Sequence, residues 1–345
     1  MDAPTNRDRS LWPRVCLIVP NYNGAHLLEV SIPSLMKSSY PNFEIVVVDN
    51  GSSDRSLNLL RERYPSIKVV RLTSNKGVPY AFNAGMKATS CEFVSFLNND
   101  IEVDQGWLRA LVLSIQSRRN CAGCDSKYIN YFNRDIIDRS GGAGRFIDRF
   151  GNPFNRGGGE PDEELYDKPI EVFHGLALFK RDLVEIVGGY DESFFSGYEE
   201  TDLCWRLHRL GYKIVYVPQS IIFHMGRATT GAKANTRSFA FHSNKNKLRM
   251  LIKNQSGWEL TASLAVYLFD LLGITGLWVK ERRHSDLPCL AKALLWNLRN
   301  LRDTLQQRMR VRNECREYKM LFVPYSGIWR DIFGYFRTNL QKIAR

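Results

Sequence analysis

Apolar and polar residues alternate in blocks along the first third of the chain. Residues 14–20 (RVCLIVP), 43–49 (FEIVVVD), 67–72 and 91–97 are short runs, apolar almost throughout and rich in β-branched side chains. Between them, residues 25–38, 54–64, 78–89 and 106–117 space their apolar side chains as one face of a helix does. Strands that are apolar on both faces, alternating with amphipathic helices, predict an α/β fold with a mainly parallel sheet and helices on both sides.

The pattern then changes. Residues 140–168 are rich in Gly, Pro and acids (GGAG, RGGGEPDEE) and predict long loops, part of them mobile. Regular structure is expected again over 170–181 (IEVFHGLALFKR) as a strand, 198–210 as a helix ended by Gly211, and 213–217 as a strand. Residues 260–279 form an apolar stretch with a single charge, Asp270. Its length suffices to span a bilayer. Basic residues flank both ends: Lys245, Lys247, Arg249 and Lys253 before, Lys280, Arg282 and Arg283 after. Charge therefore sets no direction of insertion. A helix or helical hairpin lying in the membrane interface is expected, with Trp258 and Trp278 near its ends.

Composition narrows this picture. The 345 residues carry a formal net charge of +12. From Lys280 to the end there are 15 Lys and Arg against 6 Asp and Glu, three quarters of the excess in the last fifth of the chain. That asymmetry suits a basic tail on an anionic membrane surface and not a nucleic-acid binder. The first ten residues, MDAPTNRDRS, have no apolar core of a signal peptide. Cys16, Cys91 and Cys204 sit in apolar patterns and read as buried thiols in a reducing compartment. Cys121 and Cys124 form a CxxC with no second pair nearby, which disfavours zinc.

Ligands of parallel α/β sheets bind at the carboxyl ends of the strands. Those ends here are Asn21-Tyr22-Asn23, Asp49-Asn50-Gly51, Asn75-Lys76-Gly77 and Asn98-Asn99-Asp100. Turn chemistry accounts for one or two such clusters, and four in succession point to a shared cleft. No glycine-rich dinucleotide fingerprint or phosphate loop follows the first strand. The cleft must therefore handle its ligand with acids and amides. That suits a nucleotide whose base and ribose are hydrogen-bonded and whose phosphates a metal holds.

Six segments carry a resemblance: VPNYNG, VVVDNGSSD, NKGVPYAFNAG, FLNNDIEVDQGWL, GGYDESFFSGYEETDLCWRLHRLGYKIVYVP and FHMGRATTG, in that order. Together they resemble the family 2 glycosyltransferases of GT-A fold, and within them the rhamnosyltransferase-like enzymes of bacterial surface polysaccharides. The resemblance covers about residues 12–250 and leaves 255–345 as a basic, helical, membrane-interfacial region.

The resemblance implies roles for named residues. Pro20, Tyr22 and Asn23 would border the donor nucleotide, with Tyr22 flanking the base and Asp49 accepting its imide N–H. Asn75, Lys76, Gly77 and Asn83 would lie near the donor, Lys76 facing phosphate. Asn98, Asn99 and Asp100 stand at the family's D-x-D position. Asp100 would bind Mn2+ or Mg2+ bridging the donor phosphates, and Asn99 would reach ribose or metal-bound water. A single carboxylate suffices if a second ligand exists, because the diphosphate supplies oxygens itself. His224 matches the family's metal-ligating histidine. Glu200 matches its catalytic base, where Asp is frequent. Gly175, Asp191, Glu199 and Asp202 would border or support the acceptor, Asp191 equally fitting a turn role. Asp54 reads as a helix cap.

The resemblance thus implies an inverting, metal-dependent transfer from a dTDP- or UDP-sugar, dTDP-rhamnose among them. The acceptor would be a hydroxyl of a glycan or lipid-linked glycan, at the cytoplasmic face of the membrane. Two rivals are a sugar nucleotidyltransferase, which needs a basic glycine-rich loop after strand one, and a non-catalytic binding scaffold. The chain lacks the first feature, and the presence of Asp100, Glu200 and His224 speaks against the second.

Overall fold

The computed structural model describes residues 12–226 and 236–314. The last part of the basic tail, 315–345, the first residues, 1–11, and the end of the FHMGRATTG segment lie outside the described residues. The chain divides into two compact units. The first holds one large sheet. The second consists of Ile147–Phe154 and the helices of the C-terminal part.

The expected alternation is present: β1 (Val15–Asn21), α1 (Ala25–Met36), β2 (Phe43–Asp49), α2 (Ser56–Arg63), β3 (Lys68–Arg71), α3 (Val78–Lys87) and β4 (Phe93–Phe96). β5 (Ile101–Val103), α4 (Trp107–Gln116) and β6 (Cys121–Asn130) follow, then a hairpin of β7 (Arg145–Ile147) and β8 (Pro153–Asn155). β9 (Ile170–Val172), β10 (Leu178–Lys180), α5 (Arg181–Ile186), α6 (Glu199–Arg209) and β11 (Lys213–His224) complete the first unit. The sheet order is β3-β2-β1-β4-β10-β6-β11-β5, with β9 also on β11.

Successive side chains of a strand point to opposite faces. Val15, Leu17 and Val19 of β1 therefore pack beneath α1, α2 and α4, while Ile18 joins Phe82, Phe96, Leu203 and Leu207 beneath α3 and α6. Burial on both faces is what made these strands legible as apolar runs.

The sheet is mainly parallel, as expected, with β10, β5 and β9 paired antiparallel. Three expectations need correction. The run 170–181 is two strands, because the chain leaves β9 on one strand and rejoins the sheet at β10 between β4 and β6. The segment 140–168 is not mere loop, since it holds the β7–β8 hairpin and a 3-10 turn at Glu164–Tyr166. Cys16 and Cys91 are joined as a disulfide, not two thiols, their Cα atoms 5.9 Å apart. Parallel pairing of β1 with β4 brings together cysteines 75 residues apart, and Glu44 Oε1 stands 2.9 and 3.2 Å from their sulfurs.

The second unit contains α7 (Thr236–Asn254), α8 (Gly257–Lys280), α9 (Leu287–Arg299) and α10 (Leu301–Glu314). α8 is a single helix, long and apolar enough to cross a membrane by length and composition alone. The basic residues before it do not form a surface flank. Lys245, Lys247, Arg249 and Lys253 are buried inside the unit. Lys247 pairs with Asp270 at 3.1 Å, and Arg249 pairs with Asp303 at 2.7 Å and bonds Thr304 at 2.6 Å. A buried charge needs a partner, so the lone acid of the apolar stretch belongs to a packing contact. Trp258 is exposed, but Trp278 is buried with Cys289 and Leu290 and capped by Arg283 at 4.9 Å. Leu268 and Leu272 of α8, and Leu298 and Met309 of the next two helices, remain exposed.

Candidate active site

The carboxyl ends of β1, β2 and β4 lie side by side, since β1 pairs with both neighbours in parallel. Their amides are largely spent on one another. Asn99 Nδ2 donates to Asn21 Oδ1 at 2.9 Å, and Asn21 Nδ2 to Ser52 Oγ at 3.3 Å. Gly24 is forced by this contact, as a Cβ there would lie 2.4 Å from the Asn99 amide nitrogen. Asn23, at φ 51°, accepts from the backbone of Ser53 and Asp54. Asp54 caps α2 through Ser56 and also accepts from Ala25 N at the start of α1, as expected of a helix cap.

Asn50, part of the second strand-end cluster, governs the next loop. It accepts from Lys76 N at 2.8 Å and donates to Gly77 O at 3.1 Å, while Asn75 accepts from Gly77 N at 3.0 Å. Gly77 has φ 90°, and a Cβ there would meet Phe195 backbone at 2.5–2.6 Å. Val78 N donates to Phe195 O at 2.8 Å. Phe195 itself sits at φ 64°, ψ −54°, an unfavourable conformation for a non-glycine residue. The loop after β3 and the turn before α6 are thus in van der Waals contact.

Against this background of satisfied amides, three carboxylates differ. Asp49 is buried; its Oδ2 accepts from Ser52 N at 3.2 Å, and its Oδ1 has no hydrogen-bond partner. Asp100 is buried and its Oδ1 likewise has none. Glu199, in the first turn of α6, has an unpartnered Oε2, and burial together with the adjacent Glu200 charge pushes its carboxyl well above the ordinary range. Buried polar atoms without partners are expensive in folding. Asp49 and Asp100 carry theirs at the carboxyl ends of β2 and β4, and Glu199 at the start of α6. Tyr22, 41% exposed, stands at the end of β1 beside them.

His224 ends β11, whose antiparallel register with β5 sets it opposite Ile101. Its Nε2 is 3.6 Å from Asp100 Oδ1 and its Nδ1 is 3.0 Å from Asp138 Oδ1. Burial alone would depress the imidazole, but hydrogen bonding and charge from Asp100 and Asp138 hold it up at about 9. Two residues 124 positions apart in sequence are therefore brought together, and an imidazole and a carboxylate facing each other at this separation fit a divalent ion that takes the place of the proton between them, the other ring nitrogen being held by Asp138.

Other expected residues have structural duties. Asn83 donates to Tyr190 O and Glu192 Oε1, both at 2.9 Å, and accepts from Tyr190 N at 2.9 Å. It clamps α3 to the 190–192 turn, which corrects its reading as a donor contact. Asn99 braces Asn21 from a buried position, which corrects the ribose reading in the same way. Asp202 is fully buried and ion-paired to Arg206, with oxygen–nitrogen distances of 2.9 and 3.1 Å. It braces α6. Asp191 accepts from Ser193 N and Oγ in the turn before α6, the turn role. Gly175 makes room for Asp125, whose Cβ a side chain would meet at 2.7 Å. Pro20 is buried in β1, and Asn98 is half-buried at the strand end. Glu200 is half-buried beside the buried Glu199, the more accessible of the pair.

Sequence reading missed Asp125, Arg145 and Asp138. Asp125 and Arg145 form a bidentate buried pair, both contacts 2.9 Å, and the Arg145 guanidinium lies within electrostatic reach of Glu200. Asp125 lies in β6, where a buried polar strand gives no apolar signal.

A model of the family described as glycosyl transferase family 2 matches residues 16–187, the span that holds Asp49 and Asp100. The chain belongs to glycosyl transferase family 2. Among its relatives, the O-antigen biosynthesis protein RfbC of Myxococcus xanthus is 28% identical over 233 residues, 64% of this chain and 18% of that protein. The N-acetylglucosaminyl-diphospho-decaprenol L-rhamnosyltransferase of Mycobacterium tuberculosis is 25% identical over 264 residues, 70% of this chain and 85% of that protein. The chain spans less than half the length of the first relatives it matches. Among solved structures, GalNAc-T7 with UDP, GalNAc and Mn2+ superposes with a TM-score of 0.55 at 21% identity, over 70% of this chain and 48% of that one. S. aureus TarS 1-349 in complex with UDP gives 0.53 at 17%, over 87% and 90%. These likenesses establish for this family 2 member the GT-A fold.

Proposed function

We propose that this glycosyltransferase is inverting and divalent-metal-dependent, moving a sugar from a nucleoside diphosphate donor to a hydroxyl of a surface-polysaccharide glycan. The observation that carries the reading is the buried Asp100 Oδ1 facing His224 Nε2 at 3.6 Å at the carboxyl end of the sheet. Asp100 and His224 would hold Mn2+ or Mg2+, which when bound neutralises charge gathering on the leaving diphosphate. Metal and proton compete for His224.

The remaining roles belong to the chain's own groups. Asp49 Oδ1 accepts an imide N–H, which favours a uracil or thymine base. Tyr22 covers the base, and the backbone of Asn75, Lys76 and Gly77 borders the donor. Glu200 takes the proton of the acceptor hydroxyl as its oxygen attacks the anomeric carbon from the face opposite the diphosphate. The accessible position of Glu200 beside the buried Glu199 supports this division of labour.

The rhamnosyltransferase relative supports a dTDP-deoxyhexose donor and a lipid-linked acceptor. A peripheral position on the cytoplasmic face of an anionic membrane fits the exposed Leu268, Leu272, Leu298 and Met309 together with the exposed Arg299, Arg302 and Arg310. A panel of nucleotide sugars with Mn2+, read by thermal shift and by donor hydrolysis, tests the donor class. Stabilisation by dTDP- or UDP-sugars is expected, and equal indifference to all of them would overturn the reading.

A further inference from the structure

We infer that Asp138 is a positioning residue for the metal site, fixing the tautomer and the aim of His224. The inference rests on the metal reading above and adds a residue from outside every recognised motif. Asp138 lies in the chain after β6, directly after Ile137, which bridges Ile129 of β6, and is 4% exposed. Its Oδ1 accepts from three donors: His224 Nδ1 at 3.0 Å, Ser140 N at 2.8 Å and Gly141 N at 2.9 Å. Its own backbone is tied to β6, Asp138 N donating to Tyr128 O at 2.9 Å, and it accepts from Gly142 N at 2.9 Å. The carboxylate is therefore a fixed point and not a flexible surface acid.

The backbone on either side of the imidazole is tied down too. Tyr131 N donates to His224 O, and Met225 N donates to Asp100 O. The Tyr128 ring stands edge-on to the imidazole at 6.4 Å between centroids. A carboxylate acceptor at Nδ1 places the proton on that nitrogen and leaves the Nε2 lone pair pointing at Asp100 Oδ1. A carboxylate behind a ligating histidine also raises its basicity, and loss of such a partner typically weakens metal binding about ten- to a hundredfold.

The test is Mn2+ affinity of the full chain without nucleotide, titrated by the electron paramagnetic resonance of free Mn2+. Asp138→Ala should weaken binding roughly ten- to a hundredfold, and Asp138→Asn, whose Oδ1 still accepts, should recover part of the loss. Asp100→Ala and His224→Ala serve as references. If they weaken Mn2+ binding and Asp138→Ala does not, the inference fails while the metal reading stands. If neither reference weakens binding, the metal reading fails and takes the inference with it. A second readout guards against misfolding of the alanine variant. Long-range 15N–1H NMR of the six histidines, recorded at a pH where the His224 ring is neutral, should find that ring protonated at Nδ1 in wild type and in Asp138→Asn; a neutral wild-type ring protonated at Nε2 overturns the inference.

Discussion

The amides and the acids at the strand ends behave oppositely. Asn21, Asn50, Asn75, Asn83 and Asn99 turn their polar atoms toward one another or toward backbone. Asp49, Asp100 and Glu199 each keep a buried oxygen without a hydrogen-bond partner. Asparagine can satisfy donors and acceptors together, so it imitates backbone and shapes loops. A carboxylate only accepts, and it stays unsatisfied until something brings a donor or a cation. On the proposed reading the two residue types divide the work: amides build the cleft, and acids face its contents.

That division can be broken by measurement. Glu200→Gln keeps shape and removes the base, so turnover should fall by roughly 10²–10⁴ while calorimetric nucleotide affinity holds; near-normal turnover would return Glu200 to mere helix charge. Asp100→Ala should erase the Mn2+-dependent part of nucleotide affinity and leave the metal-free part intact. Asn83→Ala should do the reverse of both. It should cost about 1–3 kcal/mol of stability in chemical denaturation and leave nucleotide affinity unchanged, and a selective loss of affinity would restore it to the donor site.

The smallest effect concerns pH. Glu199 has a folded-state pKa raised above its unfolded value by burial and by Glu200. Its contribution to stability is therefore full below the ordinary value of about 4.3 and is lost as pH rises through the raised value. Glu199→Gln should flatten that decline, gaining melting temperature over wild type on the alkaline side. Parallel melting curves for the two proteins would deny Glu199 this role.

Legibility followed the same chemistry. β1, β2 and β4 were readable because both of their faces are buried in apolar clusters. β6 was not, because it buries Asp125 against Arg145 and Lys127 against Asp162 and Asp167, pairs made across 20 to 40 positions of sequence. The basic flank before α8 was misread for a related reason. Lys247 and Arg249 look solvated until Asp270 and Asp303 are found beside them. Motif resemblance proposed Asp49, Asp100, Glu200 and His224 as site residues. It could not tell which neighbouring amides face inward, since that depends on partners such as Tyr190 and Glu192, more than a hundred residues on. Asp138 carried no motif at all, only an Asp-Arg-Ser-Gly stretch that reads as a turn.

The contact between Gly77 and Phe195 has a consequence in time. The loop after β3, proposed to receive the donor, and the turn before α6, the helix proposed to carry the base, meet along a seam with no room for a methyl group. Neither can shift without pushing the other. A donor settling on one side therefore sets the posture in which the acceptor is met on the other, and catalysis should run in a compulsory sequence, donor first and acceptor second, with nucleotide the last to leave. Product-inhibition patterns would register that sequence, and Gly77→Ala, by prying the seam open, should blur it.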